Sequence, residues 1–226
     1  MLKGDNIIEW VVKIGGSLFP TDAIKVAEKL KGTSSLIVTG GGEFANLIRK
    51  YDNNKNFSDE ICDETAIECM TIMSKLLNDK IKHTEIAYSI EDALKISYNR
   101  KVPILICSKI LKENHPFKQS WEVTSDSISA YIAKLLNANL LIVTNVNGIY
   151  TRKPKTKGSK FISEIDAKKL LTFEESSIDL MLPSLLIKFG TDCFIVNGKY
   201  PERIYQIITG EYRNTYNFKY TYIKGV

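Results

Sequence analysis

Residues 10–17 read Trp-Val-Val-Lys-Ile-Gly-Gly-Ser, an apolar run that contains one lysine and ends in a glycine pair and a serine. Val and Ile favour extended backbone, so residues 10–14 are predicted to form a buried strand. The two glycines predict a turn, and apolar residues at helical spacing follow over residues 21–30. A strand, a turn and a helix in this order are typical of the repeating unit of an α/β fold.

The same order recurs about every 25–35 residues along the chain, which favours a mostly parallel central sheet. Residues 36–39 predict a second strand, and three glycines at 40–42 predict the turn after it. Phe44, Leu47 and Ile48 form the apolar stripe expected on the next helix. Three further apolar runs are predicted to be strands: residues 103–107, 140–144 and 193–196.

Helical spacing predicts three more helices. The longest covers residues 58–78, with Ser58 as its capping residue. Ser89 begins a capping box before a short helix, and another helix begins near Thr124.

The longest helix carries a methionine-rich apolar stripe, which indicates packing in the core or at a subunit interface, with a ligand pocket as the alternative. The stripe comprises Ile61, Ala66, Ile67, Met70, Met73, Leu76 and Leu77. We therefore expect a homo-oligomer.

Loops are predicted at residues 51–57, 109–119 and 152–160, and the last of these carries five basic residues and no acidic one. The chain contains no low-complexity linker and no internal repeat. A single domain over residues 1–226, with an N-terminal and a C-terminal half, is therefore the simplest organisation.

Composition excludes several classes of protein. With 44% hydrophobic and 25% charged residues, the chain is neither disordered, collagenous nor a coiled coil. Its net charge of +5 is spread along the chain, so a nucleic-acid partner is not expected, whereas a small anionic substrate fits. No apolar run approaches the roughly 18 residues that cross a bilayer, and no signal peptide is recognisable, so neither a membrane partner nor export is expected.

The cysteines and histidines do not predict a metal site. The four cysteines show no Cys-x-x-Cys spacing, and the chain has only two histidines, His83 and His115. Free thiols that behave as small buried hydrophobes are typical of a reducing compartment, so a cytoplasmic location is expected.

Ligands of open parallel sheets bind beyond the carboxyl ends of the strands, where helix N-termini favour anions. The glycine turns at 15–16 and 40–42 follow predicted strands, so each is either a phosphate-binding loop or a simple turn. Lys13 favours the first alternative, because an ammonium in an apolar strand is costly unless an anion meets it. The other possibility for Lys13 is a side chain that reaches solvent from an edge strand.

A second polar cluster, Thr124-Ser125-Asp126-Ser127, lies at a predicted helix start. Asp126 is either the helix cap or a carboxylate that orients a lysine or a substrate amine near a transferred phosphoryl group. Spacing alone leaves both readings open.

Together, these motifs resemble the amino acid kinase superfamily over nearly the whole chain. Residues 12–17 resemble the family's opening lysine and glycine turn, and residues 38–45 resemble its acceptor-side glycine loop. Thr124-Ser125-Asp126 falls at the family's aspartate motif. Residues 142–151 are similar to its nucleotide-binding segment, which is usually written TDVDGVYT.

The resemblance implies a three-layer α/β/α sandwich that transfers phosphoryl groups from ATP with Mg²⁺. It places the acceptor on residues 1–120 or so and ATP on residues 121–226 or so, with no metal ligand assigned to the protein itself. The implied catalytic residues are Lys13, Gly16 and Asp126. The implied ATP-binding residues are Gly15, Gly16, Ser17, Thr144, Asn145, Gly148, Tyr150 and Lys153. The implied acceptor-binding residues are Gly40, Gly41, Gly42, Trp121, Thr124, Ser125 and Asp126.

Two segments depart from the family's motifs. Asn145 and Asn147 replace the usual aspartates of the nucleotide segment, which keeps their hydrogen-bonding capacity but removes their charge. Ser184 stands where many members have a lysine that helps to neutralise the transferred group. Lys188, one helical turn later, either replaces that charge or is simply solvated.

Within the family, residues 120–130 are most similar to archaeal kinases of methanofuran biosynthesis, which convert [5-(aminomethyl)furan-3-yl]methyl phosphate to its diphosphate. Trp121 could stack on a flat ring or be a half-buried packing residue, and Asp126 or Glu122 could pair with a primary ammonium. A uridylate or adenylate kinase is the alternative within the family. A non-catalytic nucleotide- or anion-binding protein on the same scaffold is the alternative outside the kinases.

Overall fold

The computed structural model of the protein describes residues 7–113, 116–173, 177–214 and 218–225, so His115 lies outside the described residues. The strands are β1 Trp10–Ile14, β2 Ser35–Thr39, β3 Thr84–Ala87, β4 Val102–Leu105, β5 Asn139–Thr144, β6 Ile149–Tyr150, β7 Phe161–Ile162, β8 Glu164–Asp166, β9 Cys193–Asn197 and β10 Tyr220–Lys224. The α-helices are α1 Thr21–Lys29, α2 Gly42–Lys55, α3 Asp59–Lys80, α4 Ile90–Tyr98, α5 Ser108–Glu113, α6 Ser125–Leu136, α7 Ala167–Leu170, α8 Leu182–Phe189 and α9 Pro201–Ile208. Short 3-10 helices cover Gly16–Leu18 and Glu211–Asn214.

Eight of these strands form one sheet in the order β3-β4-β2-β1-β5-β9-β10-β8. The central strand β1 pairs in parallel with β2 and β5, and β9 extends the sheet in parallel beyond β5. Only β10 and β8 run against the other strands of this sheet. The mostly parallel sheet predicted from the sequence is therefore confirmed, and the carboxyl ends of β1, β2, β5 and β9 lie side by side.

Alternate residues of the strands pack into two separate cores, because successive side chains of a strand point to opposite faces of the sheet. Val11 belongs to the core beneath α3, α4, α6, α7 and α8. Val12 belongs to the core beneath α1 and α9. Helices thus cover both faces, and the three-layer α/β/α architecture expected from the family resemblance is present.

The predicted capping residues take their expected roles. Ser58 accepts a hydrogen bond from the backbone N–H of Ile61 at the start of α3, and Ser89 accepts one from Asp92 at the start of α4. At the start of α6, the cap is Thr124. No helix in the described ranges is both long and apolar enough to cross a membrane.

Two predicted loops are partly helical. Helix α2 continues to Lys55, so most of the predicted loop at 51–57 is helix. Helix α5 covers Ser108–Glu113, the first half of the predicted loop at 109–119. Both segments consist mostly of polar residues, so few apolar residues mark a helical face. The predicted basic loop at 152–160 is confirmed, since it connects β6 and β7.

The apolar stripe predicted on α2 lies mostly at the surface. Phe44 and Leu47 are 44% and 45% exposed, Ile48 is only half-buried, and no residue of α2 is fully buried. Helix α2 packs on α3 instead of the sheet. The stripe has helical periodicity, but periodicity does not reveal which neighbour covers it.

Candidate active site

Lys13 lies near the carboxyl end of β1, the central strand of the sheet, and its side chain is only 10% exposed. Its ammonium nitrogen Nζ lies 2.6 Å from Oδ1 of Asp126. Because β1 has a neighbouring strand on each side, the alternative of an edge-strand lysine that reaches solvent is wrong. A buried ammonium of this kind requires a partner, and the carboxylate of Asp126 is that partner.

Asp126 lies in the first turn of α6, but it is not the helix cap. The cap is Thr124, whose side-chain oxygen accepts a hydrogen bond of 3.3 Å from the backbone N–H of Asp126. The second carboxylate oxygen of Asp126, Oδ2, accepts a 3.2 Å hydrogen bond from the backbone N–H of Asp179. The carboxylate of Asp126 is thus directed at Lys13, as the second of the two sequence-based readings requires.

The two glycine turns contact each other next to this ion pair. A Cβ atom built on Gly16 would lie 2.2 Å from the Cα of Gly42, far inside van der Waals contact. A Cβ on Gly40 would lie 2.9 Å from the backbone nitrogen of Gly16 and 3.1 Å from Oγ of Ser125. Glycine at 16 and 40 is therefore required by close backbone approach, and the two loops and the start of α6 meet at one point.

Residues 142–151, which resemble the family's nucleotide-binding segment, border the same point. The N–H of Gly15 donates a 2.8 Å hydrogen bond to the carbonyl of Val143 in β5, and a Cβ on Gly15 would lie 3.7 Å from both Lys13 Nζ and the Cα of Thr144. All four motifs therefore converge at the carboxyl edge of the sheet. The short helix at 16–18, α2 and α6 all begin there, and the unpaired N–H groups of helix N-termini favour anions.

Beyond Thr144 the segment is fixed by neighbouring polar residues. Oδ1 of Asn147 accepts hydrogen bonds from Nδ2 of Asn197 at 3.3 Å and from Nη1 of Arg203 at 3.1 Å. The guanidinium of Arg203 also lies 4.0 Å from the ring centre of Tyr200. With asparagine at 147, the guanidinium of Arg203 donates to an uncharged amide oxygen at a position where an aspartate would form an ion pair.

Most of the remaining predicted ATP-binding residues lie at the surface or are held by contacts within the chain. Asn145, Ser17 and Lys153 are exposed, and the ring of Tyr150 packs edge-on against Phe161 at 5.5 Å between ring centres. Gly148 has φ +143°, and a Cβ there would lie 2.3 Å from Oγ1 of Thr221. The glycine at 148 is explained by this close contact, independently of any ligand.

Trp121 is half-buried and has two partners within the chain. Its indole N–H donates a 2.8 Å hydrogen bond to Oδ2 of Asp52, and the guanidinium of Arg49 lies 4.7 Å from its ring centre. The hydrogen bond from Trp121 is the main reason that the pKa of Asp52 is lowered. The ring is thus held against α2, and Arg49 stacks on it. Neither contact was predicted from the sequence.

Asp179 is the main site residue that sequence reasoning missed. Its carboxylate accepts hydrogen bonds from the backbone N–H groups of Thr124, Ser127 and Leu182 and from the hydroxyls of Thr124 and Ser127. Burial, followed by the nearby charge of Asp126, raises the pKa of Asp179. The sequence signal for this role was the acidic residue in the segment 178–184, which also lacks the family's lysine.

The structure does not bring a lysine of α8 to this point. Ser184 is exposed, and Lys188 lies in the last turn of the helix, with its ammonium 6.0 Å from the ring centre of Phe189. Asp179 contacts the first turn of α8 through Leu182, six residues before Lys188, which corresponds to about 9 Å along a helix axis. The structure therefore favours the alternative in which Lys188 is a solvated side chain and does not replace the missing lysine charge.

A cavity of about 360 Å³ lies between α3 and α5. Helix α3 also touches the second glycine turn, since a Cβ on Gly41 would lie 3.4 Å from the carbonyl of Ala66. The cavity is lined by Glu60, Asp63, Glu64, Ile67, Glu68, Ser108, Leu111, Lys112 and Gln119. Most of the charges along this wall are negative, and one of them, Glu64, is paired with Lys112 at 2.9 Å.

No group of three histidine, cysteine or acidic side chains is arranged to hold a metal ion in the part of the chain that the structure describes. All four cysteines are free and buried. Burial alone raises the pKa of the Cys107 thiol to about 12, so this thiol stays protonated at neutral pH.

Comparison with known proteins gives a consistent picture. The model of the amino acid kinase family matches residues 9–197. The chain is 36% identical over 228 aligned residues to the [5-(aminomethyl)furan-3-yl]methyl phosphate kinase of Methanocaldococcus jannaschii, covering 96% of this chain and 98% of that protein. It is 26% identical to the uridylate kinase of Pyrococcus abyssi, covering 79% and 81% of the two chains.

Solved structures show the same fold. The UMP kinase of Ureaplasma parvum superimposes with a TM-score of 0.73 at 18% identity, covering 96% of this chain and 98% of that one. The uridylate kinase of Archaeoglobus fulgidus superimposes with a TM-score of 0.70 at 19% identity, covering 96% and 100%.

Replacing Gly16 by alanine tests the contact between the glycine turns. We expect Gly16→Ala to lower the free energy of unfolding by about 1–3 kcal/mol, because the added methyl group forces the backbones at 16 and 42 apart. The neighbouring exposed residue provides the control, and Ser17→Ala should change stability by less than about 0.5 kcal/mol. Urea unfolding of both variants measures the difference. Equal stability of the two would contradict the close approach of the loops.

Proposed function

The chain belongs to the amino acid kinase family, and on that premise we propose that it transfers the γ-phosphoryl group of ATP to a small phosphomonoester, giving a diphosphate. The observation that carries the proposal is the buried ion pair of Lys13 and Asp126, 2.6 Å apart, where the two glycine turns meet. The proposed acceptor is [5-(aminomethyl)furan-3-yl]methyl phosphate. This choice is supported by the 36% identity over 96% of the chain to a kinase of that compound.

The proposed reaction is a direct in-line transfer. An oxygen of the acceptor phosphate forms a bond to the γ-phosphorus of ATP while the bond from that phosphorus to the β–γ bridging oxygen breaks, and ADP leaves. Because the acceptor oxygen is already anionic, the reaction needs no general base and no covalent enzyme intermediate. Catalysis then consists of positioning and charge neutralisation.

The buried ammonium of Lys13 would contact the transferred phosphoryl group, and the N–H groups of Gly16 and Ser17 would donate to phosphate oxygens. The N–H of Gly15 already donates to the carbonyl of Val143, so Gly15 would contribute only the close approach of its backbone. Asp126 would hold the ammonium in place through the 2.6 Å ion pair. A preorganised donor in a site with little water stabilises developing charge more strongly than a solvated one.

We place the acceptor on the N-terminal half of the chain and ATP on the C-terminal half. The acceptor phosphate would bind to the glycine turn at 40–42 and to Ser125 at the start of α6, with Trp121 near the ring. Thr124 would border the acceptor without donating to it, because its N–H and hydroxyl both donate to Asp179. ATP would bind along Thr144, Asn145, Gly148, Tyr150 and Lys153. Mg²⁺ would be held chiefly by the ATP phosphates and would supply charge neutralisation there.

Removing the Lys13 ammonium tests the catalytic assignment. We expect Lys13→Ala to lower kcat by about 10²–10³-fold, the usual loss for one preorganised donor, without unfolding the chain. Lys25→Ala is the matched control, because Lys25 is an exposed lysine of α1, and its activity should equal that of the wild type. ADP release in a coupled assay gives the rates. Normal turnover by Lys13→Ala would remove Lys13 from the proposed mechanism.

A panel of acceptors tests the substrate. With ATP and Mg²⁺, we expect kcat/KM for the aminomethylfuran phosphate to exceed the values for UMP and AMP by at least about tenfold, a difference of about 1.4 kcal/mol in transition-state binding. Faster turnover of UMP or AMP would favour the uridylate or adenylate kinase alternative, which the similarity to uridylate kinases supports. No turnover with any acceptor and no ATP binding by calorimetry would favour the non-catalytic alternative.

We also propose that the protein is a homo-oligomer that associates through α2 and α3. These two helices pack on each other, yet they leave large apolar side chains exposed to solvent. The exposed residues are Phe44, Leu47, Tyr51, Ile61, Ile72 and Leu76. Clusters of this kind on a folded domain are typical of subunit interfaces. The cytoplasmic location and the lack of nucleic-acid or membrane partners stay predictions from composition.

A charge within this cluster should disrupt the association. We expect Leu76→Glu to convert the oligomer to a smaller species in sedimentation equilibrium, because Leu76 is 52% exposed on α3 and a buried unpaired carboxylate is costly. Leu135→Glu is the control, since Leu135 is 47% exposed on α6. If the wild type is already monomeric, or if both variants dissociate equally, the proposed interface is wrong.

A further inference from the structure

Asp179 occupies the junction between the first turns of α6 and α8. One of its oxygens, Oδ2, accepts hydrogen bonds from the backbone N–H of Thr124 at 2.9 Å, the hydroxyl of Thr124 at 2.9 Å and the backbone N–H of Ser127 at 3.0 Å. The other, Oδ1, accepts from the hydroxyl of Ser127 at 2.7 Å and from the backbone N–H of Leu182 at 2.8 Å. One carboxylate thus ties together two helix N-termini that are more than 50 residues apart in the chain.

The same residue also contacts the carboxylate that holds Lys13. The backbone N–H of Asp179 donates to Oδ2 of Asp126 at 3.2 Å, while Oδ1 of Asp126 faces Lys13 Nζ at 2.6 Å. The orientation of the Asp126 carboxylate is therefore set from one side by Lys13 and from the other by Asp179. Moving the backbone at 179 would turn this carboxylate away from the ammonium.

From these contacts we infer that Asp179 is the positioning residue of the site, which fixes Asp126 and, through it, the ammonium of Lys13. This inference rests on the proposed function, since it gives Asp179 a task in phosphoryl transfer. Asp179 does not touch the reacting groups in this proposal. It acts by holding α8 and the start of α6 in a single arrangement.

The carboxylate form of Asp179 suits this role. Five donors converge on its two oxygens, and helix N-termini stabilise a negative charge near their first turns. These hydrogen bonds lower the pKa of Asp179, but burial, followed by the charge of Asp126, has the larger effect and raises it overall. An asparagine at 179 would keep the shape, but its amide nitrogen would face donors and accept none of their hydrogen bonds.

The variant Asp179→Asn tests the inference by kinetics. We expect kcat to fall on the order of 10- to 100-fold, because small displacements of a reacting group cost that much, while KM for ATP and for the acceptor changes by less than about twofold. Ser127→Ala is a milder second variant, which removes only one hydroxyl donor to Asp179 and should lower kcat to an intermediate value.

A matched control separates positioning from stability. Ser89 caps α4 by accepting a hydrogen bond from Asp92, and neither residue belongs to the site. Ser89→Ala should therefore lower the thermal midpoint, Tm, without changing kcat. If Asp179→Asn and Ser127→Ala lose activity only in proportion to their loss of folded protein, as judged from Tm, Asp179 has a purely structural role and the inference fails.

Chemical labelling tests the positioning independently of the acceptor. The rate at which acetic anhydride acetylates Lys13, measured by mass spectrometry of the folded protein, reports how well burial and pairing protect this amine. We expect Lys13 to be acetylated at least about threefold faster in Asp179→Asn than in the wild type, with Lys25 unchanged as the internal standard. Unchanged labelling of Lys13 would overturn the inference. Faster labelling in a protein that phosphorylates none of the acceptors would instead retain the positioning by Asp179 and contradict the proposed function.

Discussion

The ammonium of Lys13 is buried at the carboxyl end of the central strand, and a buried charge costs several kcal/mol unless another charge and hydrogen bonds compensate. Asp126 supplies the compensating charge from the start of α6, at 2.6 Å. Strand β1 and helix α6 must therefore keep a fixed distance, and the buried apolar residues of β1, β5 and α6 maintain it. The rest of the site is built around this pair, because both glycine turns and the segment after β5 lie beside it.

The glycine turns impose the second constraint. The backbones of Gly16 and Gly42 are so close that no side chain fits between them, and a Cβ on Gly40 would lie 2.9 Å from the backbone nitrogen of Gly16. Backbone N–H groups therefore face the site directly from the starts of two helices. Because no Cβ blocks the backbone there, a phosphate oxygen can reach these N–H groups directly.

Much of this arrangement is predictable from sequence because its determinants are local. An apolar strand, a following glycine turn and an amphipathic helix are visible within windows of about 15 residues, and so are the caps at Ser58 and Ser89. Asp179 is different, because its five donors lie on two helices and its role depends on the packing of α6 against α8. The exposure of Phe44 and Leu47 is equally non-local, since it depends on whether α2 packs against the sheet. Strand β10 was missed although Tyr220–Lys224 alternates half-buried and buried residues, because that period is short and lies near the end of the chain.

The charge of the site follows from these contacts more than from the net charge of the chain. Lys13 and Asp126 neutralise each other, and the negative charge of Asp179 is distributed over five hydrogen bonds, three of them from backbone N–H groups. The buried side chains thus provide no excess positive charge, although the whole chain carries +5. In the proposed reaction, the helix N-termini and the glycine N–H groups, whose dipoles are fixed by the fold, would add to the attraction that Lys13 and Lys153 exert on phosphate. A lysine at position 184 would add a positive charge to the first turn of α8, whereas the serine found there adds none.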